Sequence, residues 1–136
     1  MKPLRRMRLP KVLSHADCMR IIHTVEHPVY RNCLNVMYSC GIRLGDAGKV
    51  QGRQIDKATS NLTSIGKWNR QRLIPIPTTT LQGLRQLWKT HRHKKYLLTN
   101  RYGKNHVSDC SVRVAFKQVC LIAGIEDVTP HGFRHS

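Results

Sequence analysis

Asn61-Leu62-Thr63-Ser64-Ile65-Gly66-Lys67-Trp68-Asn69-Arg70-Gln71-Arg72-Leu73-Ile74-Pro75-Ile76 is the stretch on which the fold turns. Its two ends carry β-branched and apolar residues in short runs, and its middle is Gly-Lys-Trp-Asn-Arg. Residues 61–65 and 71–76 therefore read as two strands, joined by a hairpin turn at 66–70. Pro75 lacks a backbone N–H, which places the return strand at a sheet edge. Just upstream, residues 50–55 read as a further short strand, giving a small three-stranded antiparallel sheet.

On either side of this sheet the apolar period is helical. Ser14 with Asp17 forms a capping-box-like S-x-x-D start, and Cys18, Ile21, Ile22 and Val25 follow at helical spacing. A second helix runs from about Val29 with Val29, Cys33, Val36, Met37 and Cys40 on one face. Gly41 interrupts it, and residues 44–47 start another helical turn. After the sheet, residues 80–90 form a helix that buries Leu81, Leu84, Leu87 and Trp88. Residues 96–104 make an irregular, basic connection. Val112, Phe116, Val119, Cys120 and Ala123 mark a helix that begins near Ser108 or Asp109 and ends at Gly124. Thr129-Pro130-His131 then reads as an N-cap, a first-turn proline and a new helix. The expected class is α+β, mostly α, with helices around a small three-stranded antiparallel sheet.

The 136 residues suffice for one compact domain and are too few for two. With 40% apolar residues a modest core is available, which argues against disorder throughout. The charge is lopsided: 24 Lys plus Arg against 7 Asp plus Glu, a formal +17. Residues 57–108 hold eleven basic residues and no acidic one, and Lys2, Arg5, Arg6, Arg8 and Lys11 form a basic leader over residues 1–11. Ordinary solvated surfaces mix both signs, so this excess points to a polyanionic partner, nucleic acid above all. No apolar run is long enough to span a membrane, and no apolar stretch follows the basic leader as in a signal peptide. The five cysteines, Cys18, Cys33, Cys40, Cys110 and Cys120, are odd in number and lack C-x-x-C spacing. Most fall on apolar stripes, so the expectation is a reduced, cytoplasmic chain without disulfides, in contact with the nucleoid. His91-Arg92-His93 sits among Lys89, Lys94 and Lys95, which repel a cation, and no metal or other cofactor is expected.

Three separated clusters carry the chemistry. The first is Tyr38-Ser39-Cys40-Gly41-Ile42-Arg43-Leu44-Gly45-Asp46-Ala47. The second is Gly66-Lys67-Trp68-Asn69-Arg70-Gln71-Arg72 with Leu73-Ile74-Pro75-Ile76-Pro77 after it. The third is Thr129-Pro130-His131-Gly132-Phe133-Arg134-His135-Ser136. In this order and spacing they resemble the tyrosine recombinases, the family of phage integrases and Xer-like integrases. There the clusters usually read Y-x-T-G-L-R-x-S-E, G-K-G-x-K-x-R with P-L, and P-H-x-L-R-H. Trp68 stands where that family often has glycine. Arg-Leu-Pro-Lys-Val-Leu-Ser at 8–14 also resembles the opening of the family's catalytic domain. The resemblance covers essentially the whole chain, and it implies a partial tyrosine recombinase catalytic domain over residues 1–136.

What the resemblance implies agrees with the physical chemistry of phosphoryl transfer. A phosphodiester under attack gains charge on its non-bridging oxygens, and fixed cationic donors stabilise that state most. Arg43 and Arg134 match the family's arginine pair, whose forked guanidinium suits two phosphate oxygens. Lys67 matches the hairpin lysine that protonates the departing 5′ oxygen, and His131 the histidine of acid–base work. His131 and Arg134 lie three residues apart, hence on one helix face. Asp46, at i+3 from Arg43, is expected to position the basic residues. Arg70, Arg72, Lys94, Lys95, Arg101 and Lys104 are expected to contact the DNA backbone, and His135 to be structural.

In the family, a second His or Trp and then the nucleophilic tyrosine follow the H-x-x-R motif, and a DNA-clamping domain precedes the catalytic one. Tyr30, Tyr38, Tyr96 and Tyr102 all lie upstream of His131. The expectation is site-specific DNA recombination or integration at family level, in a mobile element. These 136 residues would bind duplex DNA, and other recombinase protomers, without cutting. A non-catalytic DNA-binding module or regulator derived from a recombinase is the alternative, and a basic RNA-binding protein a third.

Overall fold

Ser14 opens the first helix by accepting a hydrogen bond from the Asp17 N–H at 3.1 Å, which satisfies one of the amides that a helix start leaves without a partner. The computed structural model describes residues 13–65, 70–126, 128–130 and 133. In chain order the elements are α1 (His15–Thr24), α2 (Pro28–Cys40), α3 (Leu44–Gly48), β1 (Ile55–Asp56), β2 (Asn61–Ile65), β3 (Gln71–Pro75), α4 (Thr78–His91) and α5 (Asp109–Ala123). The mostly α, α+β expectation agrees with this architecture.

α2 is the central helix and touches α1, α3, α4 and α5. Its expected stripe is the observed one: Val29, Cys33, Val36, Met37 and Cys40 are all buried, together with Leu34. Cys18, Ile21 and Ile22 of α1 and Val112, Phe116, Val119 and Cys120 of α5 complete the helical core. Four of the five thiols are buried in that core as free cysteines, and Cys110 is exposed. α4 starts at Thr78, slightly before the expected residue 80, because Pro77 supplies the extended N-cap. Thr80 is then buried inside its first turn, and its hydroxyl donates to Ser39 Oγ on α2 at 3.1 Å. Of the four residues expected to be buried along α4, Leu84 and Leu87 are buried, while Leu81 and Trp88 are only partly so.

The sheet is antiparallel in the order β1-β2-β3, so β3 with Pro75 is an edge as expected. The strand expected over 50–55 is cut short. Gln51 makes only an isolated bridge to Tyr96, residues 52–54 form a 3-10 turn, and only Ile55 and Asp56 pair with β2. The Gln54 side chain explains the break. Its Oε1 accepts from the Gln51 N–H at 2.7 Å while its Nε2 donates to the Thr63 carbonyl at 3.0 Å, so it ties the turn to the sheet in place of a ladder. Leu62 and Ile74, opposite one another, face the core, whereas Leu73 is 71% exposed. The basic leader and most of the hairpin turn, with Lys67 and Trp68, lie outside the described residues, as do Asp127, His131, Gly132, Arg134, His135 and Ser136. Among the described residues no helix is long and apolar enough to cross a membrane.

Candidate active site

α2 ends at Gly41, whose φ of 67° and ψ of 30° lie in the left-handed region, and its N–H donates to the Met37 carbonyl at 2.9 Å. A side chain resists that conformation, so glycine lets the helix stop and the chain swing out here. Ile42 and Leu44 then bury themselves, and Arg43 between them is exposed. Arg43 is also the N-cap of α3, with its carbonyl accepting from the Ala47 N–H at 2.8 Å. Reversing this alternation would expose two buried aliphatic side chains, at roughly 1.5–3 kcal/mol each. Among the described residues the Arg43 side chain enters no hydrogen bond or ion pair, so none of its donors is committed to them. It is an exposed cation on a backbone held by buried neighbours.

α3 lies close against the start of α5. A Cβ on Gly48 would approach the Val107 side chain to 3.3 Å, and one on Gly45 would meet Asp109 Oδ2 at 3.5 Å. Asp46 is exposed on the other side of α3, where it shares with Lys49, Gln54, Leu62 and Ser64 a concavity of about 170 Å³. Ser64 pairs with Arg72 and Leu62 with Ile74, so all four lie on the same face of the sheet. Arg72 therefore belongs to the face that borders Asp46. Arg70 is exposed just before β3. The fold thus brings Asp46 beside the sheet face that carries Arg72, with Arg43 at the N-cap of the same helix as Asp46.

His131 and Arg134 lie outside the described residues, yet the residue between them that is described has a definite place. Phe133 is fully buried, its ring 5.4 Å from Tyr38 on α2 and 5.4 Å from Phe116 on α5. Its N–H donates to the Thr129 carbonyl at 2.9 Å, the i to i−4 bond of a first helical turn. Phe133 fastens this segment beside the end of α2 from which Arg43 emerges. Sequence reasoning quoted Phe133 inside its cluster but gave it no role. The apolar position in P-H-x-L-R-H was the available signal.

Each of the described tyrosines is engaged. Tyr30 stacks on His27, Tyr96 lies between His93 and His106, and Arg101 covers the exposed Tyr102 at 5.2 Å. Tyr38 shares a 2.6 Å hydrogen bond with His15 Nδ1. Burial, and then the neighbouring Cys18, push its phenol above the ordinary tyrosine range. Burial likewise raises Cys33 to about 12, with Asp109 adding to it, and Cys40 to about 11, so neither is a ready nucleophile.

Lys94 and Lys95 fall elsewhere. They rim a larger cavity between α4 and the 51–57 segment. Lys104 and Arg101 are exposed on the neighbouring turn. The two histidines of His91-Arg92-His93 build this region. His91 Nδ1 accepts from the His93 N–H at 2.9 Å, which leaves Nε2 to donate to the Leu97 carbonyl at 2.8 Å. His93 Nδ1 accepts from the Lys95 and Tyr96 N–H groups, both at 3.0 Å, and Nε2 faces the Lys104 carbonyl at 3.2 Å. Among the described residues no cluster of His, Cys, Asp or Glu could hold a metal ion.

Helices about a three-stranded sheet, with Arg43 at the α2–α3 junction and a basic hairpin beside it, define the tyrosine recombinase catalytic fold. Solved structures share it. A XerA recombinase superposes with a TM-score of 0.79 at 18% identity, covering 96% of this chain and 49% of that one. A XerH site-specific recombinase, bound to its difH substrate in a pre-cleavage complex, gives 0.80 at 14% identity, covering 98% and 44%. Residues 11–136 match the phage integrase family, and the chain belongs to that family. Its relatives include tyrosine recombinase XerC of Xanthomonas axonopodis pv. citri (strain 306), 28% identical over 95% of this chain and 44% of the relative. XerC of Lacticaseibacillus casei (strain BL23) is 30% identical over 94% and 48%. The chain spans about half the length of the relatives it matches.

Proposed function

We propose that this chain supplies the phosphate-activating part of a tyrosine recombinase active site, acting on duplex DNA in the cytoplasm as part of the nucleoid. The observation that carries the reading is Arg43, exposed between buried Ile42 and Leu44 with no hydrogen bond or ion pair to any described residue. In the reaction, Arg43 and Arg134 grip the non-bridging oxygens of the scissile phosphate and stabilise the charge that grows there. Asp46 orients the basic residues around the phosphate. The phenolic oxygen of a nucleophilic tyrosine forms a bond to phosphorus, and the bond to the 5′ oxygen breaks. Lys67 gives that oxygen its proton, and His131 takes or relays the proton of the attacking hydroxyl. The 3′ phosphate stays on the enzyme until a 5′ hydroxyl reverses the step and rejoins strands. Arg70, Arg72, Lys94, Lys95, Arg101 and Lys104 hold backbone phosphates outside the reacting centre. Other recombinase protomers are the protein partners of this reading, since relatives with the same fold include a lambda integrase tetramer bound to a Holliday junction.

The test is duplex affinity against salt. If about six phosphates are neutralised, the log–log slope is near −5. A flat response between low and moderate salt refutes the reading. A nicked suicide duplex, run on a denaturing gel, separates catalysis from binding. None of Tyr30, Tyr38, Tyr96 and Tyr102 matches the family's nucleophile position, so a polypeptide of these 136 residues is expected to give no covalent band.

A further inference from the structure

The larger cavity is not used by the mechanism above. It encloses about 690 Å³, within the roughly 300–1,000 Å³ typical of sites for small organic ligands. Its lining includes six basic side chains and no acidic one: Arg53 and Lys57 on one wall, Arg85 on α4, Arg92 at its C-cap, and Lys94 and Lys95 just beyond. All six are exposed, and none forms an ion pair with a described residue. Its floor is apolar, made by Ile55, Leu81, Leu84, Trp88 and Leu97, of which Leu84 and Leu97 are buried and the other three half-buried. Arg92 stands over the Trp88 ring at 5.6 Å, so cation and aromatic face share one end of the cleft.

Six like charges brought together without a counter-ion repel one another, and a ligand of high negative charge density relieves that. A duplex backbone would meet the cations but leave the apolar floor uncovered. An acidic peptide carries at most one carboxylate per residue, a lower charge density than a phosphate chain offers to six cations around one cavity. A phosphate chain joined to an unpaired base fits both surfaces, phosphates on the rim and base on the Trp88 and leucine floor. We propose that this cleft binds a nucleotide through its phosphates and its unpaired base. The source is either a free nucleoside polyphosphate or an unpaired nucleotide of a DNA strand, and Lys94 and Lys95 belong to this site as much as to duplex binding.

The experiment is calorimetric titration of the 136-residue chain with ATP, inorganic tripolyphosphate and a short oligothymidylate. ATP is expected to bind saturably at one site and at least tenfold more tightly than tripolyphosphate, because only ATP covers the floor. Arg85→Glu/Arg92→Glu should weaken ATP binding more than twentyfold, and Arg53→Glu/Lys57→Glu on the facing wall should do the same. Arg113→Glu/Lys117→Glu, an exposed pair on α5 away from the cavity lining with the same change in net charge, should alter it less than twofold. Circular dichroism confirms that each variant is folded. Oligothymidylate displacing ATP assigns the site to a DNA strand, and failure to displace it assigns a free nucleotide; both support the proposal. Equal losses in all three variants reduce the effect to net charge and overturn it. So does tripolyphosphate binding as tightly as ATP, or an acidic peptide binding where ATP does not.

Discussion

Replacing Phe133 tests whether the third cluster is built into the domain or merely follows it. The side chain is fully buried between Tyr38 and Phe116, with both ring centroids 5.4 Å away and the Phe116 contact edge-on. Truncating a buried phenylalanine to alanine costs about 3–5 kcal/mol, through lost transfer free energy and the cavity left behind. The two ring contacts contribute about 0.5–1.5 kcal/mol each beyond area, so Phe133→Ala belongs near the middle of that range, about 4 kcal/mol. Against a total stability of about 5–15 kcal/mol this is a large share. Phe133→Leu keeps most of the volume and should cost about 1–1.5 kcal/mol. Urea denaturation followed by circular dichroism measures both. Fluorescence anisotropy on a labelled duplex reads the functional consequence: the alanine variant frees the segment that carries His131 and Arg134 and should bind more weakly, while the leucine variant holds. A loss below about 1 kcal/mol for Phe133→Ala refutes the docking argument. Lost stability with unchanged affinity refutes the link from docking to DNA.

Arg43→Ala removes an exposed side chain that packs against nothing in the core, so stability should change by no more than about 0.5 kcal/mol while duplex affinity falls. One fewer phosphate contact should also make the salt slope shallower by about 1, and an unfolded variant with normal affinity per folded molecule would make Arg43 structural. Gly41→Ala puts a Cβ at a φ of 67° and should cost about 1 kcal/mol in urea melts, with Gly41→Asn costing less; equal, negligible effects would contradict the left-handed turn. Native thiol labelling should modify Cys110 alone, because the other four are buried, and labelling of Cys33 before unfolding would count against the core described above. The Cys33 thiol ionises near 9 when unfolded and at about 12 in the fold, so the unfolded chain loses its proton first as pH rises. Stability from this group is intact below about pH 9 and falls by roughly 1 kcal/mol per pH unit as pH rises toward the folded value, a decline that Cys33→Ala should make shallower while the share from raised Cys40 remains.

The helical stripes were legible because burial in this domain follows the 3.6-residue period closely. Val29, Cys33, Val36, Met37 and Cys40 are one face of α2 in the sequence and in space. The end of the strand expected over 50–55 was not legible, since it depends on one glutamine side chain. Gln54 bonds at once to Gln51 and Thr63, partners that only the tertiary fold brings within reach. Arg43 and Asp46 could be singled out from a glycine-marked junction and its motif. Nothing in the spacing, however, separates Arg72, on the face of the small concavity, from Lys94 and Lys95 around the large one. Arg53, Lys57, Arg85 and Arg92 were passed over for the same reason. They come from two distant stretches of chain, and only packing of α4 opposite residues 51–57 makes them one cluster. The i, i+7 spacing of Arg85 and Arg92 was a partial signal.

Net charge pointed to a polyanionic partner but could not say which cations would face it, and the fold divides them by what already satisfies their donors. Arg20 Nη2 donates to the Ala123 carbonyl at 2.9 Å, closing the C-terminal end of α5. Arg31 Nε donates to the Val25 carbonyl at 2.7 Å and its Nη2 to the Glu26 carbonyl at 3.2 Å, closing the end of α1. Cations at helix C-termini are stabilised by the carbonyls and dipole there, so these two arginines serve the fold. Recruiting either to a phosphate would break a helix cap, whereas recruiting Arg43 breaks no bond to a described residue. Uncommitted donors on a backbone placed by buried neighbours suit a phosphate clamp, since folding has set where the cation starts and only its side-chain rotamers remain to be ordered by the anion. A basic residue on this chain is therefore a candidate for DNA in proportion to how little it does for the protein. By that measure Arg43 and the six cations around the large cavity rank ahead of Arg20 and Arg31.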